Sequence, residues 1–527
     1  MIRHKCTLLC RDITFLMWLT FHREHKRVTY VSLSRGEKEA LSFSISGPMC
    51  MQQLVGVSSK REMFQRSCNV ARVVDRILAL RRRSRAQSVF GFQLLLLGAV
   101  LFLTIGKAQA LPAFAVQTGQ HCTACHVGGF GPQLTPFGRE FKIEGYTLRS
   151  GTDFTAPVSA MAVASYLQTA KDVGFPPAPG FGTNNNVALD KLSVFLAGGD
   201  GGHFGGFAQA SYYGVGDAFS WDVLDLRAVD RATIDGQDVL FGLSLNNSPG
   251  VEDAWNTLPA WGFPYTYTAL APQPGTFTAI AGVAQTVLGV NAYAWWNSSL
   301  YTEIGLYATP SRGFLSTVGA DSGPARTIKG AAPYVRAAYQ KNYDDQNFEV
   351  GVFGFFPSLQ GTFVDTGRTN DYRDLGIDAS YQFTGDGANI YQVNAIFTNE
   401  NQSLNASSLV HASNLSDSFN DFRVNGSYYW QNMIGGTVQF FDSWGSRDPL
   451  LYAGNSTFKP DSTGFMFQVD GTPFGANPSS LGIRFNIRAG LQYTVYTKFN
   501  GAASNYNEFG RNASDNNALR LFVWVAM

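Results

Sequence analysis

From residue 155 to the C-terminus the sequence keeps a period of two. Runs such as Asp421-Phe422-Arg423-Val424-Asn425-Gly426-Ser427-Tyr428-Tyr429-Trp430 and Thr437-Val438-Gln439-Phe440-Phe441-Asp442 alternate polar with apolar side chains. Successive residues of a strand point to opposite faces, so each run has one polar face and one apolar face. About sixteen such runs of roughly ten residues follow one another, the length and alternation of transmembrane barrel strands. The expected spans are 155–170, 187–198, 203–213, 218–230, 235–246, 277–293, 298–308, 332–342, 347–357, 371–383, 389–399, 419–431, 435–444, 463–470, 482–497 and 518–527.

The connections sharpen this expectation. Short turns fall at 199–202, 343–346, 385–388 and 432–434, and long polar loops near 171–186, 247–276, 309–331, 400–418, 445–462 and 498–517. Outer-membrane barrels have short periplasmic turns and long extracellular loops. With the chain entering from the periplasm, every long loop lands outside, and both termini of the mature chain stay on the periplasmic side. The exceptions are a short outer loop at 214–217 and a longer inner turn at 471–481. The last strand runs to the end of the chain: Leu519, Leu521, Val523 and Val525 alternate with Arg520, Phe522, Trp524 and Ala526. Outer-membrane barrels usually end in an aromatic residue, whereas this chain ends in Met527. The fold class read from these patterns is an all-β, antiparallel, lipid-embedded barrel of about sixteen strands, residues 155–527. A soluble β-sandwich or propeller is the competing architecture. Only 15% charged residues and 14% aromatics favour the membrane form, since one face of every strand must then meet lipid.

The net charge of +1 conceals two parts. Residues 1–110 hold 18 Lys+Arg and 6 Asp+Glu, a net of +12, while the other 417 hold 22 and 33, a net of −11. Arg81-Arg82-Arg83-Ser84-Arg85 precedes an apolar run from Val89 to Ile105, and Ala108-Gln109-Ala110 follows. A basic region, an apolar region and a small-residue A-x-A site make residues 81–110 a signal peptide cleaved before Leu111. An uncleaved anchor is the alternative, because the run is just long enough to span a membrane. Residues 1–80 carry four cysteines and scattered charge, and read as an overextended start with no functional role.

Eleven residues into the mature chain stands Cys122-Thr123-Ala124-Cys125-His126, the C-x-x-C-H pattern of covalent c-type haem. Two thiols at fixed spacing match the two vinyl groups of one rigid macrocycle, and the adjacent imidazole reaches the iron. No second cysteine pair stands downstream to complete a zinc site, and no βαβ pattern surrounds the motif as in a thioredoxin-like site. The expected cofactor is one covalent haem c, with His126 as axial ligand and redox centre. For the opposite face Met161, 35 residues on, is favoured over His203 in a Gly-rich turn; the plainer reading of Met161 is an apolar barrel residue. His121 adjoins Cys122 too closely to reach that face, and His411 sits in a polar loop. A methionine ligand would raise the reduction potential relative to bis-histidine. The haem segment, residues 111–154, is too small to stand alone and needs the barrel as a wall.

A haem motif joined to a barrel resembles the fused monohaem cytochrome–porins of bacterial outer membranes, the iron-oxidising type. The residues that carry the resemblance are Phe114-Ala115-Val116-Gln117-Thr118-Gly119, Cys122 to His126, Leu134-Thr135-Pro136-Phe137-Gly138-Arg139-Glu140-Phe141-Lys142 with Gly145-Tyr146, and Asp253-Ala254-Trp255-Asn256-Thr257-Leu258-Pro259-Ala260-Trp261-Gly262-Phe263-Pro264-Tyr265. The resemblance implies a cytochrome segment plugging the lumen and an Fe(II):cytochrome c oxidoreductase activity. Extracellular Fe(II) would give one electron to the haem, and a periplasmic cytochrome c or other periplasmic acceptor would remove it. Val127-Gly128-Gly129-Phe130-Gly131-Pro132 would approach the haem closely. Arg139 and Lys142 would pair with its propionates or else neutralise an acidic lumen. Asp172, Glu252, Asp253, Asp321 and Asp365 fall in expected outer regions, where loop acids are ordinarily solvated. The alternative function is a haem-plugged porin or channel without iron oxidase activity. Outer-membrane lipid is an expected partner, and no nucleic-acid signature is present. N-terminal sequencing of the exported protein is expected to begin at Leu111; a mature start upstream of Arg81 would refute the leader.

Overall fold

The computed structural model describes residues 113–527, apart from 152–156, 322, 324–326, 362–366, 386, 408–410, 478 and 480–484. Upstream it describes only the backbone of three strand segments, 3–10, 13–21 and 28–29, paired antiparallel. The leader at 81–110 and its cleavage site lie outside the described residues. The described residues from 113 onward form one compact unit.

Sixteen strands run in sequence order: β1 Val158–Thr169, β2 Asn186–Gly199, β3 Phe204–Tyr213, β4 Ala218–Ile234, β5 Gln237–Asn246, β6 Leu288–Trp296, β7 Leu300–Ala308, β8 Ala332–Asn342, β9 Gln346–Phe355, β10 Thr369–Phe383, β11 Asn389–Ser403, β12 Ser416–Trp430, β13 Ile434–Gly445, β14 Ser462–Gly471, β15 Asn486–Lys498 and β16 Ala518–Ala526. Each pairs antiparallel with its sequence neighbours, and β16 pairs with β1 to close the barrel. Ser358–Gln360 continues β9 past Pro357 and pairs with β10. Closure is completed by the last residue, since Met527 and Ala160 exchange backbone hydrogen bonds of 2.9 and 2.7 Å. All sixteen expected strands are present. The largest displacement is in the sixth, which begins at Leu288 because a helical turn at Ala279–Gly282 occupies the start of the expected span.

The faces are inverted relative to a water-soluble protein. Ile304 (66% exposed), Val350 (54%), Ile377 (50%) and Val469 (60%) point outward. Their strand neighbours Glu303, Glu349, Asp378 and Asp470 are at most 3% exposed and face the lumen. No water-soluble sandwich or propeller would expose the apolar residues of every strand and bury the charged ones. The same pattern, aligned strand by strand, makes an outer apolar band around a polar interior. Tyrosine and tryptophan gather at the short-turn rim, where Tyr391 and Tyr428 pack 4.9 Å apart and Trp430 and Tyr343 are exposed. Such rings sit well where hydrocarbon gives way to head groups.

Long and short connections segregate to opposite ends with the two expected exceptions, the short turn at 214–217 on the long-loop side and the longer connection after Gly471 on the short-turn side. One long connection departs from expectation. Residues 247–287 fold into the lumen rather than outward: Val251, Glu252, Asp253, Ala254, Trp255 and Leu258 are each at most 1% exposed. A run with two tryptophans and several prolines and aromatics gains little from water, and Asp253 meets Arg336 of β8 at 3.5 Å. Glu252 and Asp253 are therefore lumen residues, not outer-loop acids. Of the other acids expected outside, Asp172 accepts hydrogen bonds from Thr183 and Asn184 of its own loop. Asp321 pairs with Arg312 at 3.0 Å, and Asp365 lies outside the described residues.

Replacing Ile377, which faces out near the middle of β10, with arginine is expected to destabilise the barrel by about 2–4 kcal/mol, the scale for a basic residue at the bilayer midplane. Urea unfolding in lipid vesicles measures it; an unchanged midpoint would mean that this face does not meet lipid.

Candidate functional site: the C-x-x-C-H plug

The segment before β1 sits inside the barrel. It comprises α1 Ala113–Thr118, the single turn α2 Cys122–Cys125 and α3 Pro136–Ile143. The C-x-x-C turn is made locally: the His126 amide donates to the Cys122 carbonyl at 2.8 Å. The chain then loops out and returns, with His126 bridged to Leu134 and the Thr135 amide on the Cys125 carbonyl at 2.9 Å. Thr135 caps α3 by accepting from the Gly138 amide at 3.1 Å, with Pro136 in the first turn. Gly138 has a specific task. A Cβ there would stand 2.1 Å from the Cys125 carbonyl oxygen, so only glycine lets α3 lie against the cysteine turn.

The barrel holds this plug from several sides. Arg488 of β15 donates to the carbonyls of Gly128 and Phe130, and Asn432 accepts from the Gly128 amide at 2.8 Å. Asn256 of the inward loop accepts from the Leu134 amide and donates to the Pro132 carbonyl, at 3.1 and 2.8 Å. Arg139 reaches Gln382 of β10 at 3.2 Å. Lys142 donates to the Asp253 carbonyl at 2.6 Å with its ammonium 4.2 Å over the Trp261 ring. Tyr146 donates to Asp225 of β4 at 2.6 Å. Arg139 thus reaches the barrel wall and Lys142 the backbone of the inward loop. The glycine-rich run also has a wall-facing reason. Gly128 and Gly129 have φ of 72° and 90°, and a Cβ on them would meet Arg488, Tyr429 and Thr472 at 2.6–2.7 Å. These glycines let the loop press on β12 and β15.

Cys122, Cys125 and His126 all open on one cavity of about 970 Å³ enclosed by the plug, the inward loop and the barrel wall. Its floor near the motif is apolar, with Phe130, Leu134, Phe141, Trp261, Phe263 and Trp524. Toward the long-loop end it becomes polar, with Lys191 and Asp222 at 2.8 Å and Arg520 and Asp190 at 2.7 Å. Burial pushes the Cys125 thiol up to about 12 and raises Cys122 also. A redox-active C-x-x-C requires the opposite, a lowered thiolate pKa. Burial pushes His126 down to about 4, which keeps the imidazole neutral, the form that binds a metal. Its Nδ1 makes no hydrogen bond of good geometry, with the backbone of Gln133 and Gly131 lying against the ring. Two thiols on one turn, a neutral imidazole and an apolar chamber fit a covalently held haem.

Met161 points inward from β1, packs on Phe130, Val163, Phe522 and Trp524, and lines the same cavity as His126. Met466 of β14 lines it too. His121 is exposed at the rim of this cavity. His203 is a turn residue, 3.0 Å from the Val229 carbonyl and outside the chamber lining. His411 is exposed in its loop. The sequence reading missed Arg488, Asn486 and Asn256. Each is a single polar residue whose importance comes from a partner more than 100 positions away, and period two reveals only that Arg488 faces inward. Among the described residues no group of three or more His, Cys, Asp or Glu is placed to hold a bare metal ion.

No model of a protein family matches the chain, and no curated protein matches it. Several outer-membrane proteins are among the solved structures with partial likeness. The outer-membrane protein OmpT of Vibrio cholerae, in its trimer form, is 8% identical over 70% of this chain and 97% of its own, with a TM-score of 0.37. An anion-selective porin from Comamonas acidovorans is 11% identical over 70% and 99%, with a TM-score of 0.38. The outer-membrane channel DcaP of Acinetobacter baumannii is 11% identical over 70% and 96%, with a TM-score of 0.40.

Gly138→Ala is expected to cost about 1–3 kcal/mol, because a backbone carbonyl cannot yield as a side chain can. Limited proteolysis checks this: cleavage should accelerate within 113–150 while the barrel fragment stays intact. Equal cleavage rates would show that α3 does not pack on the cysteine turn.

Proposed function

We propose that this chain is an outer-membrane electron-transfer protein, with one c-type haem carried by the plug inside a porin-like barrel. The observation that supports it is the convergence of Cys122, Cys125 and His126 on a single chamber within the lumen. Each thiol would form a thioether to the porphyrin, and His126 would ligate the iron. A group held there supplies reversible one-electron chemistry. The chain does the rest. Apolar side chains around the motif exclude water, Arg488 and Asn256 fix the two sides of the loop that follows His126, and Met161 and Met466 offer thioethers from the wall. The polar upper chamber leads toward the long loops, the side from which an extracellular donor, Fe(II) on the family resemblance, would approach. A periplasmic cytochrome c or similar acceptor would take the electron at the short-turn end, where the turns at 431–433 and 472–477 border the motif.

A second reading has its own support. The chamber continues from the motif to Thr276 and Gln285 of the inward loop and to Tyr496 near the long-loop rim, as a solute path would. In that case the protein is a haem-plugged channel without iron oxidase activity.

The purified protein is expected to contain one covalent haem, abolished by Cys122→Ala with Cys125→Ala, and Fe(II) in detergent should reduce it. An oxidised spectrum left unchanged by Fe(II) at every pH where the ion is soluble would remove iron as donor. Liposome swelling separates the two readings: rapid sugar permeation through the intact protein would favour the channel.

A further inference from the structure

Arg488 is one of the largest fully buried side chains described, and its surroundings are unusually specific. Its guanidinium donates to the carbonyls of Gly128 and Phe130, with Val127 at 3.5 Å. It faces Asp470 of β14 at 3.5 Å and Thr472 at 3.4 Å. Phe130, Tyr429 and Trp524 surround it, with ring centroids 5.3, 5.8 and 6.0 Å away. Those three carbonyls belong to the residues immediately after His126. Two positions earlier on the same inward face of β15, Asn486 donates to the Gly129 carbonyl at 3.3 Å. Two neighbouring inward residues of β15 therefore hold the carbonyls of the loop that follows His126, alongside Asn432 on the Gly128 amide.

A cation in this position has two effects. It satisfies the Gly128 and Phe130 carbonyls of the sharp glycine turn, with the Val127 carbonyl close by, and so fixes the loop that follows the imidazole. It also places a positive charge beside the motif in an enclosed, poorly screened space, where charge acts strongly. We propose that Arg488, balanced by Asp470, is the positioning residue that sets the reduction potential at the C-x-x-C-H site. The proposal rests on the reading that this motif carries haem. Oxidised haem bears one more positive charge than reduced haem, so Arg488 favours the reduced form and raises the potential, while Asp470 partly cancels it. Net charge and hydrogen bonding around such a centre are recognised levers on its potential.

The test uses the full mature chain with its haem, in detergent, titrated spectroelectrochemically. Arg488→Gln is expected to lower the midpoint potential and Asp470→Asn to raise it, with haem content per protein unchanged in both. Opposite shifts from two residues in contact are not produced by loosening the loop alone. Shifts in the same direction, or none, would overturn the proposal. Should Arg488→Gln fail to assemble, Asp470→Asn decides alone: a rise supports the proposal, and a fall or no change overturns it. A parent protein without covalent haem would instead sink the functional reading itself, a failure visible in mass and haemochrome before any titration.

Discussion

A barrel whose apolar side chains face outward must satisfy its polar ones inside, and here four inward arginines organise that interior. Arg227 pairs with Asp225 at 2.8 Å, Arg336 with Asp378 at 2.8 Å, Arg488 with Asp470 at 3.5 Å and Arg520 with Asp190 at 2.7 Å. Each carboxylate comes from the barrel wall. Each arginine also donates to a segment that is not wall: Lys142 of the plug, Asp253 of the inward loop, Gly128 and Phe130 of the plug, and Thr266 of the inward loop. A buried guanidinium with only part of its hydrogen bonds made is costly, and planar donors aimed in several directions suit it to hold carbonyls and carboxylates together. Plug and inward loop are thus required by the lumen as much as they require it.

This mutual requirement explains why so short a segment can be ordered. From Ala113 to Ser150 the plug has three brief helical stretches, and by itself would bury little apolar surface. Within the barrel, Phe114 stacks with Tyr146 at 5.1 Å and meets Phe141 at 5.0 Å. Phe130 packs on Trp524 at 5.0 Å, and Val127 joins Ile390 and Tyr429. Its hydrophobic core is shared with the wall.

What the sequence made legible followed from periodicity. Alternation in β10 or β16 is a local property, readable within ten residues, and the lipid face requires it of every strand. C-x-x-C-H is local too, since the spacing of two thiols on one turn needs no partner elsewhere. The inward course of residues 247–287 was not legible. Its length matched an outer loop, and the partners it meets inside, Arg336 for Asp253 and Gln340 for Trp255, stand 83 and 85 positions on. The glycines at 128 and 129 stand out in the sequence, but it does not show that the wall they press on is Tyr429, Arg488 and Thr472. Pairings of this kind are fixed by closure of the barrel, which no window of sequence contains.

The chamber itself changes character along its length, and that gradient bears on what can pass. Near Cys125 it is walled by Phe141, Trp261 and Phe130; nearer the long loops it is ringed by Lys191 with Asp222 and by Arg520 with Asp190. The charged partners in the upper part are matched one to one, so neither sign of ion is held by a large unbalanced field. A hydrated ion could enter such a space, but it would have to shed water to descend among aromatic rings, at a cost of several kcal/mol without compensating ligands. Electron transfer imposes no such demand, because nuclei need not follow the charge. An interior that is polar at the loop end and apolar around Cys125 therefore opposes the descent of hydrated ions toward the two cysteines and His126.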